Sequence, residues 1–271
     1  MRRNSRIPLD FRGKTILITG GTRGIGLETA LAFAQYGAQC LLTYNRGEHD
    51  DVAIRTKFDD VRGPSPYCYQ ADISNPTDTA ALMSAIQTQY DKIDIFISND
   101  APSAAAVRSA EDYTLNALKK SLSCSAWPTA GYIQAIEKTF GRPPGYVIAV
   151  SSTGPDHYAY GDDFVAASKA ALECMVRYLS HRYLEKNMII NTVRSRAVKT
   201  DSFSHTFGQD IQNFVKDKIP ENYWIAPQEM ADAIVALCSG YCDAIRGQII
   251  NVDRGTRFFD NVMGMYARSH A

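Results

Sequence analysis

Eight residues near the N-terminus have the types and the spacing to hold a phosphate: Thr19-Gly20-Gly21-Thr22-Arg23-Gly24-Ile25-Gly26. Glycine lets the main chain turn sharply and approach a pyrophosphate closely. The apolar run Thr15-Ile16-Leu17-Ile18 precedes the turn, and a helical pattern over 27–36 follows it. A helix beginning there aims free N–H groups and the positive end of its dipole at an anion. Strand, glycine turn and helix in that order predict a dinucleotide cradle, where scattered glycines would predict only turns. The expected contacts are Gly20, Thr22, Arg23, Gly24, Ile25 and Gly26.

The end of the second strand predicts which dinucleotide. A carboxylate there would bond the ribose hydroxyls of NAD and repel a 2′-phosphate. The chain instead reads Thr43-Tyr44-Asn45-Arg46, with no carboxylate before Glu48. Arg46 and Arg23 together could clamp a dianion through forked, charge-assisted hydrogen bonds. Tyr44, Arg46 and Arg23 thus favour NADP(H) over NAD(H). A solvated loop Arg46 is the alternative.

These residues need a scaffold, and the remaining pattern supplies one. Strand-like runs at 39–44, 67–70, 93–98, 146–150, 188–193 and 248–252 alternate with helical patterns at 51–61, 77–90, 111–140, 164–186 and 227–238. Pro128 is expected to interrupt or bend the long pattern at 111–140. Apolar strands in repeated βα units imply a parallel sheet covered on both faces. The expected fold is α/β: a single Rossmann-type doubly wound domain, its seven-stranded parallel sheet flanked by helices, with a core at about 10–256. The segment 202–223 breaks the alternation and carries Phe203, Phe207 and Phe214. It reads either as a lid over a cleft or as a packed satellite helix.

The totals exclude other classes. With 29 basic and 29 acidic residues the formal net charge is zero, so no nucleic-acid or anionic-membrane partner is expected. No apolar run approaches the roughly 18 to 20 residues of a membrane span. The basic start, Met1 to Arg6, leads into no apolar signal core, which predicts a cytoplasmic protein. Cysteines 40, 68, 124, 174, 238 and 242 have neither redox nor zinc-finger spacing, so reduced thiols and no metal are expected.

With these motifs in order, the chain resembles the short-chain dehydrogenase/reductase family over residues 10–256. The matching pieces are the Thr-Gly-x-x-x-Gly-x-Gly turn at 19–26, Asp72 after the third strand, and Ser98-Asn99-Asp100-Ala101 after the fourth. Ser151-Ser152 ends the fifth strand, Ser168-Lys169-Ala170-Ala171-Leu172 lies in the next helix, and Gly247-Gln248 to Asp253 closes the sheet. The C-terminal half is most similar to NADPH-using enoyl-acyl-carrier-protein reductases of the third type, through Glu173, Arg177-Tyr178-Leu179, Thr200-Asp201 and Ile245-Arg246-Gly247-Gln248. The resemblance implies further cofactor contacts at Asp72, Ile73, Asn99, Lys169, Val198 and Thr200. It also implies a homodimer or homotetramer formed through the helices at 111–140 and 164–186.

The same resemblance implies a catalytic serine, tyrosine and lysine, usually with a helix asparagine. Ser152 and Lys169 stand at the family distance. The position four before Lys169 is Val165, and the enoyl-reductase position seven before it is Asp162; neither is a phenol. Leu118 takes the asparagine's place, and Ser195-Arg196 replaces the usual Pro-Gly. Asp162 would need its pKa raised by about three units to act as an acid near neutrality, and a Lys169 cation opposes that, so it reads as a loop or capping residue. Tyr158 and Tyr160 are the better substitute donors, with His157 a further one. General acid catalysis contributes roughly 10²- to 10⁴-fold, so a reductase can survive its loss on an activated acceptor. The expected activity is NADP(H)-dependent reduction of a conjugated C=C or C=O in a small-molecule or carrier-bound acyl, polyketide or other secondary-metabolite substrate. Two alternatives stay open: a catalytically retired nucleotide-binding subunit, and a non-redox cyclase, isomerase or dehydratase in the same cleft.

Overall fold

A computed structural model describes residues 9–45, 49–99, 107, 109–196, 198–200 and 223–258. Arg46 and nearly all of the candidate lid at 202–223 lie outside the described residues. Seven parallel strands form one sheet: β1 (Thr15–Ile18), β2 (Gln39–Tyr44), β3 (Tyr67–Gln70), β4 (Ile95–Ser98), β5 (Tyr146–Ser152), β6 (Ile189–Ser195) and β7 (Ile249–Asn251), in the order β3-β2-β1-β4-β5-β6-β7. The helices between them are α1 (Gly24–Ala34), α2 (Asp51–Asp60), α3 (Pro76–Gln87), α4 (Leu115–Ser125), α5 (Trp127–Phe140), α6 (Asp163–Arg182) and α7 (Pro227–Leu237). The strand order reverses direction between β1 and β4, the place where doubly wound sheets open a crevice for ligands.

Two cores hold the layers together, and the strand period of two assigns residues to them. Ile16, Ile18, Leu42, Ile97, Ile148 and Val193 face one side, against Phe33 of α1, Phe58 of α2 and Met230 and Ile234 of α7. Leu17, Leu41, Phe96, Val147 and Ile190 face the other, against Met83 and Ile86 of α3, Tyr132 and Ile136 of α5, and Leu172 and Val176 of α6. Alternate residues of one strand therefore feed both cores. Leu172 and Val176 of α6, within one of the helices the resemblance implies for subunit pairing, are each 1% exposed and serve the chain's own core.

Pro128 does not bend one long helix. Two helices meet at Ala126, and the proline occupies the first turn of α5, where its missing N–H costs nothing. The run from 111 is shorter than expected as well, because Thr114 caps α4 through Ala117 N–H. Among the cysteines Cys174 is exposed, while Cys40 and Cys238 are buried, and all six are free. No helix among the described residues is long and apolar enough to cross a membrane.

Candidate functional site

The β1–α1 turn is shaped by the absence of side chains. Gly20 and Gly24 hold φ angles of +58° and +54°, the left-handed region that strains any residue with a Cβ. At Gly26 an added Cβ would stand 2.2 Å from the Gly20 carbonyl oxygen and 2.8 Å from Asn99 Nδ2. Arg23, exposed at the N-cap of α1, gives that helix no side-chain hydrogen bond. Asp50, Asn75 and Thr114 do cap α2, α3 and α4. The start of α1, like those of α5 and α6, carries no side-chain cap from its N-cap residue, so its first N–H groups are open to an anion. A dinucleotide pyrophosphate fits this cradle, with Thr22, Gly24, Ile25 and Gly26 around it.

The other expected nucleotide contacts gather here in different capacities. Asn99 braces the turn: its Nδ2 donates to the carbonyls of Thr19 and Gly20, each at 3.2 Å, and its N–H to Thr19 Oγ1 at 3.1 Å. Thr200 comes over the helix start, its Cγ2 3.6 Å from where a Gly24 Cβ would lie. Val198 pairs with Ile225 in a parallel bridge. Asp72 folds the turn after β3, its Oδ1 accepting from Ser74 N–H at 2.9 Å and Ser74 Oγ at 2.6 Å, and Ile73 packs into the core at 9% exposure. Tyr44 ends β2 with its ring against His49, centroids 3.8 Å apart.

No metal was expected, yet His49, Asp51 and Cys68 bring their possible ligand atoms within 4.8 Å of one another beside Tyr44. Burial, followed by Asp51, pushes the Cys68 thiol up to about 11, so a cation would first have to displace its proton. The His49–Asp51 contact at 3.1 Å is an ordinary surface pair.

At the β5–α6 end Ser152 closes β5 and Lys169 of α6 reaches back to the end of that strand. Lys169 is 3% exposed and donates Nζ to the Val150 carbonyl at 2.8 Å. Ser152 Oγ accepts from Gly154 N–H at 3.3 Å. Neither substitute phenol is drawn in: Tyr158 is 85% and Tyr160 61% exposed, whereas a proton donor in a closed cleft would be desolvated. His157 is half-buried, with an Nδ1 that finds no partner among the described residues. Asn116 is exposed and Leu118 half-buried.

Asp162 departs from its expected capping role. It stands at the N-cap of α6 but forms no side-chain cap bond. Its Oδ2 instead lies 3.2 Å from where a Gly154 Cβ would be. Burial there raises its carboxyl to about 6, against the opposing pull of Lys169 and with a smaller contribution from Asp163. The sequence could not show that desolvation.

A buried ion network beneath this end also went unseen. Arg194 of β6, 3% exposed, reaches Glu173 of α6 through Nη1 at 3.2 and 3.3 Å, Asn251 of β7 through Nε at 2.7 Å, and Asp156 through Nη2. Ser151 Oγ donates to Glu173 Oε1 at 2.8 Å, and Arg257 also meets Asp156. The signal was an arginine inside an apolar strand, since a buried guanidinium needs carboxylates around it. The network ties β5, β6, β7 and α6 to the loop that carries Asp162.

Comparison with known proteins agrees with this geometry. A family model described as Enoyl-(Acyl carrier protein) reductase matches residues 20–257. The chain is 29% identical to the 1-cyclohexenylcarbonyl-CoA reductase of Streptomyces collinus over 248 residues, covering 90% of this chain and 87% of that protein. It superposes on an NADH-dependent reductase complexed with NAD at a TM-score of 0.74 and 25% identity, covering 90% of this chain and 97% of the other. A short-chain dehydrogenase from Burkholderia cenocepacia in complex with NADP shares the fold, with a TM-score of 0.78, 22% identity, and 91% and 99% coverage. The chain belongs to the short-chain dehydrogenase/reductase family of oxidoreductases, in the enoyl-(acyl carrier protein) reductase-like group.

Proposed function

We propose that the protein is an NADP(H)-dependent reductase of a conjugated C=C or C=O in an acyl or polyketide-like substrate, free or on a carrier. One observation carries this reading: the uncapped start of α1 and the Ser152–Lys169 pair open onto the same carboxyl edge of one parallel sheet, where a dinucleotide can span them. When bound, the dinucleotide supplies a hydride. The glycine turn holds its pyrophosphate, Asn99 fixes the turn, and Lys169 is placed to hold the nicotinamide ribose. Ser152 is placed to accept or donate a hydrogen bond at the substrate oxygen. Alignment of this kind can contribute roughly 7 to 11 kcal/mol to a barrier's reduction.

The preference for the 2′-phosphate rests on Arg23 and on the missing carboxylate after Tyr44, and Arg46 extends it. Similarity to a reductase of a cyclohexenyl thioester supports an activated, α,β-unsaturated acyl group. Assembly as a homodimer or homotetramer belongs to the same proposal. The absence of a phenol at Val165 favours, as a second reading, a subunit that binds nucleotide without turning over. Calorimetry with NADPH and NADH, alongside loss of reduced-nicotinamide absorbance with 1-cyclohexenylcarbonyl-CoA, separates the two. The expected result is tighter NADPH binding, weakened at least tenfold in the double variant Arg23→Ala/Arg46→Ala, together with thioester-dependent oxidation. Binding without oxidation across enones, ketones and thioesters would favour the retired subunit.

A further inference from the structure

Hydride addition to a polarised double bond leaves negative charge on an oxygen, and a neutral proton donor beside that oxygen lowers the barrier. Serine alone is a weak acid, and the two exposed tyrosines stand in solvent. One group has the required surroundings. Asp162 follows Gly161, whose φ of +80° lets the loop reverse into α6. Its carboxyl is partly buried, accepts no hydrogen bond among the described residues, and faces Gly154, whose N–H is already held by Ser152. Asp162 and Lys169 lie seven residues apart, two turns along one helix face, and side chains lean toward the helix start. Asp163 next to it is engaged by the Tyr113 hydroxyl, and Asp156 by Arg194 and Arg257. Of Asp156, Asp162 and Asp163, Asp162 alone has no side-chain hydrogen bond or ion pair among the described residues, and a desolvated, unpaired carboxyl is a mark of acid–base function.

We infer that Asp162 delivers the proton in this reductase, in place of the phenol that the chain lacks. This rests on the reduced-nicotinamide reading above. As the acceptor carbon receives two electrons as hydride from the reduced nicotinamide, the π pair moves onto the conjugated oxygen. That oxygen takes the carboxyl proton of Asp162, and the resulting carboxylate recovers one from water. The groups facing Asp162 divide in their effect. Lys169 from α6 favours the carboxylate, Asp163 disfavours it, and burial disfavours it most. The β5–α6 loop also carries Asp156, which is paired with Arg194 and Arg257, and His157. A donor that titrates near the working pH can both give and regain its proton.

The test uses the full chain, wild type, Asp162→Asn and His157→Gln. Infrared difference spectra without dinucleotide should show one carboxyl titrating at about pH 6, absent in Asp162→Asn and retained in His157→Gln. Single-turnover oxidation of bound NADPH by 1-cyclohexenylcarbonyl-CoA should slow as pH rises through that value. In Asp162→Asn the step should be roughly 10²- to 10⁴-fold slower with the inflexion lost, while the NADPH dissociation constant changes less than about twofold. His157→Gln should keep both rate and profile. A carboxyl ionised throughout the range, an unchanged rate in Asp162→Asn, or an inflexion lost only in His157→Gln overturns the assignment. Failure of the wild type to bind NADPH, or to oxidise it, sinks the reductase reading instead. The infrared titration then judges Asp162 alone, a proton-holding carboxyl supporting it and an ionised one overturning it.

Discussion

At the β1–α1 turn the groups proposed to face a ligand are main-chain N–H groups, and the room a Cβ would occupy selects the residues. At the β5–α6 end they are side chains, and what each can do depends on its neighbours' charge and on how much water reaches it. The first end tolerates almost no substitution at Gly26, where 2.2 Å separates a Cβ position from the Gly20 carbonyl. The second carries Val165, Leu118 and Ser195-Arg196 where the family resemblance implies a phenol, an asparagine and a Pro-Gly, beside Ser152 and Lys169. Backbone geometry is fixed by local sequence, so it survives as a motif. Side-chain chemistry can be redistributed among residues that the fold brings together, and here it is underpinned by the Arg194–Glu173 network.

The largest effect should come from breaking that network. Glu173→Ala leaves Arg194 buried with one carboxylate fewer and strips Ser151 of its closer acceptor. Removing one partner of a buried pair costs about 3–5 kcal/mol, readable as a lower urea midpoint. If the two ends are independent, the surviving folded fraction should bind NADPH with unchanged affinity. A fall in affinity in step with stability would show that the network reaches the glycine turn. Gly26→Ala probes the opposite end. The added methyl must push Gly20 or Asn99 aside, a strain of about 1–3 kcal/mol, and NADPH affinity should drop at least tenfold, equal to about 1.4 kcal/mol. The infrared titration of Asp162 should stay where it is. An alanine variant that binds NADPH normally would mean the turn does not hold the pyrophosphate.

How much of each end could be read in advance follows from the same contrast. The sheet, its helices and the cradle were legible because strand alternation and glycine spacing are local signals. Asn99 was placed at the site, but its use as a brace needed the Thr19 and Gly20 carbonyls in view. Pro128 signals an interruption or a bend in the 111–140 pattern, and which of the two depends on where Ala126 breaks the chain into α4 and α5. The Arg194 network joins residues as far apart as 156 and 257, which no window along the sequence connects. Asp162 reads from the sequence as a loop or capping residue, since an aspartate before a helix commonly caps it. Only the structure shows its carboxyl turned toward Gly154 and partly buried.

The smallest effect concerns Asp162 and reverses the usual sign of a mutation. Its folded-state value of about 6 lies above the ordinary 3.8, so the folded protein holds this proton more tightly than the unfolded chain does. Stability from that difference is fully present below the unfolded value and is lost as pH rises through about 6. Above that the native state carries a charge where water is scarce. Two units correspond to at most about 2.7 kcal/mol, and solvent reaching the half-buried group reduces this to about 1–2 kcal/mol. Asp162→Asn keeps the shape and removes the charge, so it should be more stable than wild type at pH 8 by that amount. The advantage should shrink through pH 6 and vanish near 4. An advantage that persists unchanged at low pH would trace to packing rather than ionisation, and the contrast between a backbone-built end and a charge-tuned end would lose its second half.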